Sequence, residues 1–330
     1  MKAFLSHFAS LLYWRDYFPY SSVLGEPTQA SMVEECAYRK TDLIECVPDG
    51  LVVPGKPIDV LVFHQNSRSS SRDVNYHTWR TPLPDGAFYQ DGRFYVSSPE
   101  FTFLQLASSL SIVQLIALGC ELCGTYVLQP GSPYNLASPF SPERYPRRPE
   151  PLTTVEKLAS CIESAQGARG RTKARRALRY VIEASRSVME TETVLKFCLP
   201  PMLGGYGILY PTMNETIDLD EEARAIAGSR WCEGDLCWSE SKLDVEYYGD
   251  VHAGSAQMRH DAGRVLGIEH MKWRVIILTY SQVSDIERFE VVAHDVADRV
   301  GHRLRKSILG NTPSRLNLFA ELEAWRNEEI

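Results

Sequence analysis

The spacing of apolar residues changes period several times along the chain, and each change predicts an element. Residues 58–63 (IDVLVF) form a β-branched apolar run after Pro54-Gly55 and before a polar QNSRSSSRD stretch. Such a run, bounded by turn and loop residues, predicts a buried strand. Short strand-like runs follow, broken at LPDG (83–86) and QDG (90–92), where Asp-Gly supplies tight turns. At Ser98-Pro99-Glu100 the pattern becomes helical: proline stands in the first turn, and Phe103, Leu104, Ala107 and Leu110 share one helical face. SIVQLIALGCELCG predicts a second helix.

Residues 129–152 collect many of the prolines together with serines and read as a linker. TTVEKLASCIESA then begins in the manner of a capped helix. The next helix is locally basic, with Arg169, Arg171, Lys173, Arg175, Arg176 and Arg179, and its apolar face is Ala174, Leu178, Val181 and Ile182. From 187 to 280 the order is helix (SVMETETVLKFCL), glycine-rich loop (PMLGGYG), strand (TIDLD), two strands (DLCWS, KLDVEYYG) parted by SESK, helix (SAQMRHDAGRVLG) and strand (WRVIILTY). IERFEVVAHDVADRVGHRLRKSI reads as a closing amphipathic helix, its Arg299, Arg303, Arg305 and Lys306 lying on plain surface. Helices alternating with mixed strands predict an α/β (α+β) layer architecture.

The chain has 330 residues, enough for two domains of about 100–200 residues. Its 44% apolar and 23% charged residues exclude a mostly disordered or fibrous chain. A net charge of −7 provides no global basic field, so any nucleic-acid contact must be a local patch. No apolar run approaches the ~18 residues of a membrane span, and charged residues interrupt the start too soon for a signal peptide. Eight scattered cysteines without a secretion signal read as reduced thiols, and the expected location is cytoplasmic.

Glu190 falls on a predicted helix, Asp235 at the start of one strand, Glu246 near the end of the next, and His252 in the loop beyond. Neighbouring strands lie ~4.8 Å apart, so Asp235 and Glu246 are expected side by side at a sheet edge. Carboxylates that close need a cation between them, and hard oxygen donors suit Mg²⁺ or Mn²⁺. Such an ion activates water and steadies a phosphoryl group in transfer. Each acid has a plainer reading: a solvated helix residue, a strand-end cap, and for Glu246 a partner of Lys242. The basic helix is either a solvated face with partners such as Glu183 or a phosphate contact through Arg169, Arg171, Lys173, Arg175 and Arg176. Cys120 and Cys123 have zinc-ligand spacing that Cys232 and Cys237 would complete, but their apolar setting favours buried thiols. GGYG (204–207) lacks the Lys-Ser/Thr of a phosphate loop and reads as a turn. His64 and His77 have no Cys or Asp constellation nearby in sequence and read as core or surface histidines.

Residues 185–280 resemble the PD-(D/E)XK nuclease-like superfamily, most closely the small endonuclease-like domains related to the very-short-patch mismatch repair endonuclease. The stretches that carry the likeness are S-V-M-E (187–190), G-D-L-C-W (234–238), K-L-D-V-E-Y-Y-G-D-V-H (242–252), H-D-A-G-R-V-L (260–266) and K-W-R-V-I-I-L-T (272–279). The resemblance implies Glu190, Asp235 and Glu246 as metal-site residues, His252 as a nearby imidazole and Asp261 as an acid on the following helix. Where the family pattern has Lys or Asp two residues after its strand Glu, this chain has Tyr248, whose phenol (pKa ~10) carries no charge at neutral pH. Residues 58–128 resemble, more loosely, the C-terminal domain of abortive-infection type IV antitoxins, through I-D-V-L-V-F-H (58–64), V-N-Y-H-T-W-R (74–80) and Y-V-S-S-P-E-F-T-F-L-Q-L-A (95–107). No winged helix is readable in residues 1–50.

The expected organisation is an antitoxin-like α+β domain (1–128), a linker (129–152), a helical connector with the basic helix (153–184) and an endonuclease-like domain (185–330). Two functions stay open. One is a metal-dependent DNA endonuclease of bacterial defence, with Glu190, Asp235 and Glu246 holding Mg²⁺ or Mn²⁺ and His252 as base or phosphate contact. The other is a degenerate nuclease fold that binds nucleic acid or a protein partner as a regulator, the reading Tyr248 favours.

Overall fold

The structure is a computed structural model. It describes residues 3–18, 25–28, 43, 47, 51, 55–63, 72–92, 94–128, 147–248, 255–304, 310 and 312–327, with backbone alone for 255–262. The chain divides into two compact units, Met1–Gln129 with Arg147–Glu183, and Pro130–Pro146 with Ala184–Ile330. Both are mixed α+β. Most of the 129–152 stretch and the polar segment after residue 63 lie outside the described residues.

The first unit is built on a five-stranded sheet in the order β3-β2-β1-β5-β4. Its strands are β1 (Ala3–Leu5), β2 (Ile58–Val62), β3 (Val74–Thr78), β4 (Phe88–Asp91) and β5 (Phe94–Ser97). β1 is the central strand, antiparallel to β2 and parallel to β5. The apolar run at 58–62 is buried at every position, as expected of a strand covered on both faces. Phe4 seats the core, stacking on Tyr95 and meeting Phe63 and Phe88 edge-on. Helix α1 (His7–Leu12) follows β1 directly. Helix α2 (Pro99–Leu106) starts where Ser98 accepts the Phe101 amide, and α3 (Ile112–Leu122) starts with a Ser111/Gln114 capping box.

Helices α4 (Val155–Ser164) and α5 (Arg171–Leu178), read above as a connector, belong to this first unit. They pack against α2 and α3. α5 ends at Leu178, so Val181 and Ile182 do not continue its apolar face; Val181 instead covers Gly119 of α3.

The second unit opens with α6 (Val188–Cys198), buried along its whole length. The sheet order is β6-β7-β8-β9, with β6 (Thr212–Asp218), β7 (Trp231–Trp238), β8 (Leu243–Tyr247) and β9 (Arg274–Leu278). β7 is antiparallel to both neighbours, and β8 is parallel to β9. A parallel pair needs a crossover, and α8 (Ser255–His270) supplies it. α7 (Glu221–Ala227), which the pattern analysis did not anticipate, lies between β6 and β7 and packs on α8. After β9 come α9 (Tyr280–Ser284), α10 (Ile286–Arg299) and α11 (Pro313–Asn327). The amphipathic run from 286 therefore does not close the fold: its helix stops at Arg299 and another follows. Arg305 and Lys306 lie outside the described residues.

The GGYG segment is a packing turn. A Cβ on Gly205 would lie 2.0 Å from the Leu199 carbonyl oxygen, and one on Gly204 2.3 Å from that of Ser314. Arg315 of α11 donates to the Gly204 carbonyl and stacks on Tyr206, with its guanidinium carbon 3.7 Å from the ring centre.

Candidate acidic site in the second unit

The β7–β8 ladder runs from Trp238↔Leu243 to Leu236↔Val245. Beyond that point a side chain takes over, because Asp235 Oδ2 accepts the Tyr247 amide at 2.9 Å. Asp235 does not start its strand as expected but is its fifth residue, and its side chain closes the ladder beside the end of β8. It also lies among acids. Burial first, then the charges of Glu190 and Glu246, hold its carboxyl well above the usual carboxylate range, against the opposing pull of the Tyr247 amide and Arg264. β7 and β8 are the two inner strands, so Asp235, midway along β7, and Glu246, near the end of β8, lie on central strands and not on an edge strand.

Glu190 is placed by the start of α6. Ser187 caps the helix by accepting the Glu190 amide at 3.1 Å, and its hydroxyl lies 2.9 Å from Glu190 Oε1. Oε2 accepts the Arg186 amide and Asn214 Nδ2, both at 2.8 Å. Asn214 reaches it from a left-handed backbone (φ 50°) in β6. Glu190 is buried and fully engaged, not a solvated helix residue. Arg186 also grips Glu233 through both terminal nitrogens, at 2.5 and 3.0 Å.

Glu246 points to Arg264 of α8, not to Lys242, whose Nζ donates to the Met271 carbonyl. Both Glu246 oxygens receive the guanidinium: Oε1 from Nη1 at 2.5 Å and Oε2 from Nη2. Arg264 donates further to the Glu233 carbonyl (2.7 Å) and the Tyr248 hydroxyl (3.0 Å). Tyr248 therefore orients an arginine here.

Asp244 and Arg264 are among the site residues that the sequence reading does not single out. Asp244, two positions before Glu246 on β8, is fully buried. Burial first, then Glu246 and Asp235, push its carboxyl up to about 9, so it is neutral at pH 7. Its Oδ1 faces the Cys237 thiol at 3.6 Å. Room for it exists because residue 234 is glycine: a Cβ there would stand 2.6 Å from the Asp244 carboxyl. The D-x-E spacing in KLDVE was the available signal, since i and i+2 share a strand face. Arg264 was likewise visible inside H-D-A-G-R-V-L but had been given no role.

The donors suit a hard cation in chemistry, and at Asp235 the neighbouring acids outweigh the pull of Arg264. Their placement suits one only partly, because Glu246 is held by Arg264. Among the described residues no three acids, histidines or cysteines stand together in metal-holding geometry. His252 lies outside the described residues, as does the side chain of Asp261, whose backbone belongs to α8.

The basic helix is part of the first unit, not of the unit holding the acids. Arg171 donates to the Ile162 carbonyl at 2.7 Å and Lys173 to the Leu110 carbonyl at 2.8 Å. Arg175 grips Glu163 with two bonds of 2.9 and 2.8 Å, an exposed pair worth under ~1 kcal/mol. Arg169 and Arg176 are exposed. Cys120 and Cys123 lie in the first unit, Cys232 and Cys237 in the second. Burial raises all four thiols, Cys120 to about 12.

His77 does have an acid partner: its Nε2 is 2.7 Å from Asp59 Oδ1, across the β2–β3 pair. Its ring stacks on His7 at 3.6 Å, and burial followed by the His77 charge lowers His7 to about 3. His64 lies outside the described residues. No helix among the described residues is long and apolar enough to cross a membrane. No family model, curated protein or solved structure matches this chain.

Proposed function

We propose that the second unit is a PD-(D/E)XK-like module acting on phosphodiesters, a metal-dependent DNA endonuclease in type. One observation carries the reading: a helix Glu, a strand Asp and the Glu of the next strand, in that chain order, lie near enough that Glu190 and Glu246 add to burial in raising the Asp235 carboxyl. The order helix, strand, short helix, strand, strand, helix, strand, with the last two strands parallel, supports it. Buried acids that raise one another's pKa are the arrangement expected of a site built for charge it does not itself carry.

On this reading Glu190, Asp235 and Glu246 would hold Mg²⁺ or Mn²⁺, which when bound supplies an activated water and charge neutralisation at phosphorus. The chain's own part is positioning. Ser187, the Arg186 amide and Asn214 fix the Glu190 carboxylate, the Tyr247 amide fixes Asp235, and the Arg186–Glu233 pair sets a partly exposed guanidinium beside the acids.

Incubation of the full chain with plasmid and mismatched duplexes in Mg²⁺ and Mn²⁺ is the test. The expected result is cleavage that Asp235→Asn reduces at least a hundredfold. No cleavage of any DNA form in either metal removes the enzyme reading. A second reading, a binding-only regulator on a degenerate nuclease fold, is favoured by Tyr248, which engages Arg264 where the resemblance expects Lys or Asp. It predicts salt-dependent DNA retention without turnover.

A further inference from the structure

We propose that the exposed stripe formed by Arg169, Thr172, Arg176 and Arg179, on α5 and the turn before it, is a docking surface for the phosphate backbone of duplex DNA. The stripe belongs to the first unit, and its contact with phosphates requires no metal. Only the choice of DNA over RNA rests on the nuclease-like reading of the second unit.

The first observation is how the cations of this segment are engaged. Six stand from Arg169 to Arg179 with no acid among them. Three are used inside the unit: Arg171 donates to the Ile162 carbonyl, Lys173 to the Leu110 carbonyl, and Arg175 pairs with Glu163. Glu163 is shared, because Arg171 also reaches it, at 2.9 Å. Glu183, which the sequence offers as a partner, instead accepts the Val155 amide at 2.6 Å. Arg169, Arg176 and Arg179 are exposed, and among the described residues no carboxylate pairs with any of them.

The second is alignment. Positions 169, 172, 176 and 179 follow the three- and four-residue spacing of one helical face. Thr172 to Arg179 covers about 10 Å of helix axis, and each DNA strand carries a phosphate every ~3.4 Å of duplex axis, so the stripe can meet about three of them. The third is a fixed orientation. Ala174 and Ala177, on the opposite face, are fully buried. Gly170 lies where a Cβ would stand 3.1 Å from the Ser108 amide nitrogen. These small residues seat α5 closely, and the Arg171 and Lys173 braces keep it from rolling, so the stripe faces outward. The fourth is what the stripe lacks. It has no aromatic residue on which single-stranded bases would stack, and no apolar side chain to enter a lipid layer. Arg176 and Arg179, like charges three residues apart, repel one another, and a polyanion relieves that repulsion.

Fluorescence anisotropy of the full-length protein with a labelled duplex DNA of random sequence, in EDTA and across a salt series, tests this. Replacing all three arginines by glutamine (Arg169→Gln, Arg176→Gln, Arg179→Gln) is expected to weaken binding at least tenfold and to reduce the salt slope by about 3. The three matching lysine substitutions should keep the slope. Glu163→Gln, which releases Arg175 to the same surface, should tighten binding. Failure to bind duplex DNA, or a slope that the glutamines leave unchanged, would overturn the docking surface and leave the acidic site of the second unit untouched. Binding intact in EDTA with no cleavage in Mg²⁺ or Mn²⁺ would remove the nuclease reading and keep the surface. Duplex RNA bound in place of DNA, or phosphatidylserine vesicles bound through the three arginines with no duplex bound, would overturn DNA as the occupant. Thermal melts screen for misfolding, and if the glutamine variant fails to fold, the gain in Glu163→Gln alone decides.

Discussion

Burying a carboxyl group disfavours its ionised form, and at Asp244 no cation bonds directly to offset that cost. Its native pKa of about 9 stands far above the 3.8 of an exposed aspartate. Between those values the folded chain keeps a proton that the unfolded chain has lost. The stabilising contribution is therefore full below pH 3.8 and fades as pH rises through 9, by about 1.4 kcal/mol per pH unit. Asn has the shape and a donor but no charge to desolvate. Asp244→Asn is expected to raise stability at pH 8 by on the order of 2–4 kcal/mol and to flatten the dependence between pH 5 and 8. Urea unfolding at several pH values reads both. A variant less stable than its parent at pH 8 would show that Asp244 is ionised in the native state.

At the scale of elements, α6 needs a partner for every face, because all of its residues are buried, two of them acids and one a lysine. α11 supplies what the sheet cannot. Glu192 Oε1 accepts from Arg326 at 2.8 Å and Oε2 from Lys196 at 3.0 Å, with Lys196 also donating to the Val283 carbonyl. Removing Glu192 takes the close carboxylate from two buried cations, leaving Lys196 the Val283 carbonyl and Arg326 the longer contact with Glu323 and the Tyr280 hydroxyl. Glu192→Ala is expected to cost about 3–5 kcal/mol, read from the urea midpoint. A loss under about 1 kcal/mol would mean that water reaches Lys196 and Arg326. α11 is also an element that pattern reading passed over. Its buried Arg315 and Arg326 break the apolar stripe that marks a helix, and only their distant partners Glu290 and Glu192 explain why they are inside.

For the whole molecule, the acids belong to the second unit and the basic helix to the first. Arg171 and Lys173 brace that helix against backbone carbonyls, so neutralising them unsettles the unit before it reports on DNA. Arg169 and Arg176 are the cleaner probes. If this helix meets phosphates, Arg169→Gln with Arg176→Gln is expected to weaken a gel shift uniformly across sequences. It should also reduce the salt slope by about 2, with thermal stability unchanged. An unchanged slope would make the helix a solvated face.

Strands rich in β-branched apolar residues, 58–62 and 274–278, and helices with explicit caps at Ser98, Ser111, Thr154 and Ser187 were legible from local pattern alone. These signals act over a few residues and do not depend on what packs against them. The three-residue β1 carries too little pattern to be seen, although it is the centre of its sheet. The acids were legible as types in an order: Glu190, Asp235 and Glu246 stand on the elements assigned to them. Their partners were not, because Arg264, Asn214 and the Tyr247 amide reach them from elsewhere in the chain. Sequence order settles which charged groups are available and on which strand or helix each will ride, since that follows from short-range periodicity. Whether two acids share a proton, or an arginine closes on one of them, depends on distances of a few ångströms in a low-dielectric interior. Those distances exist only once the chain has folded.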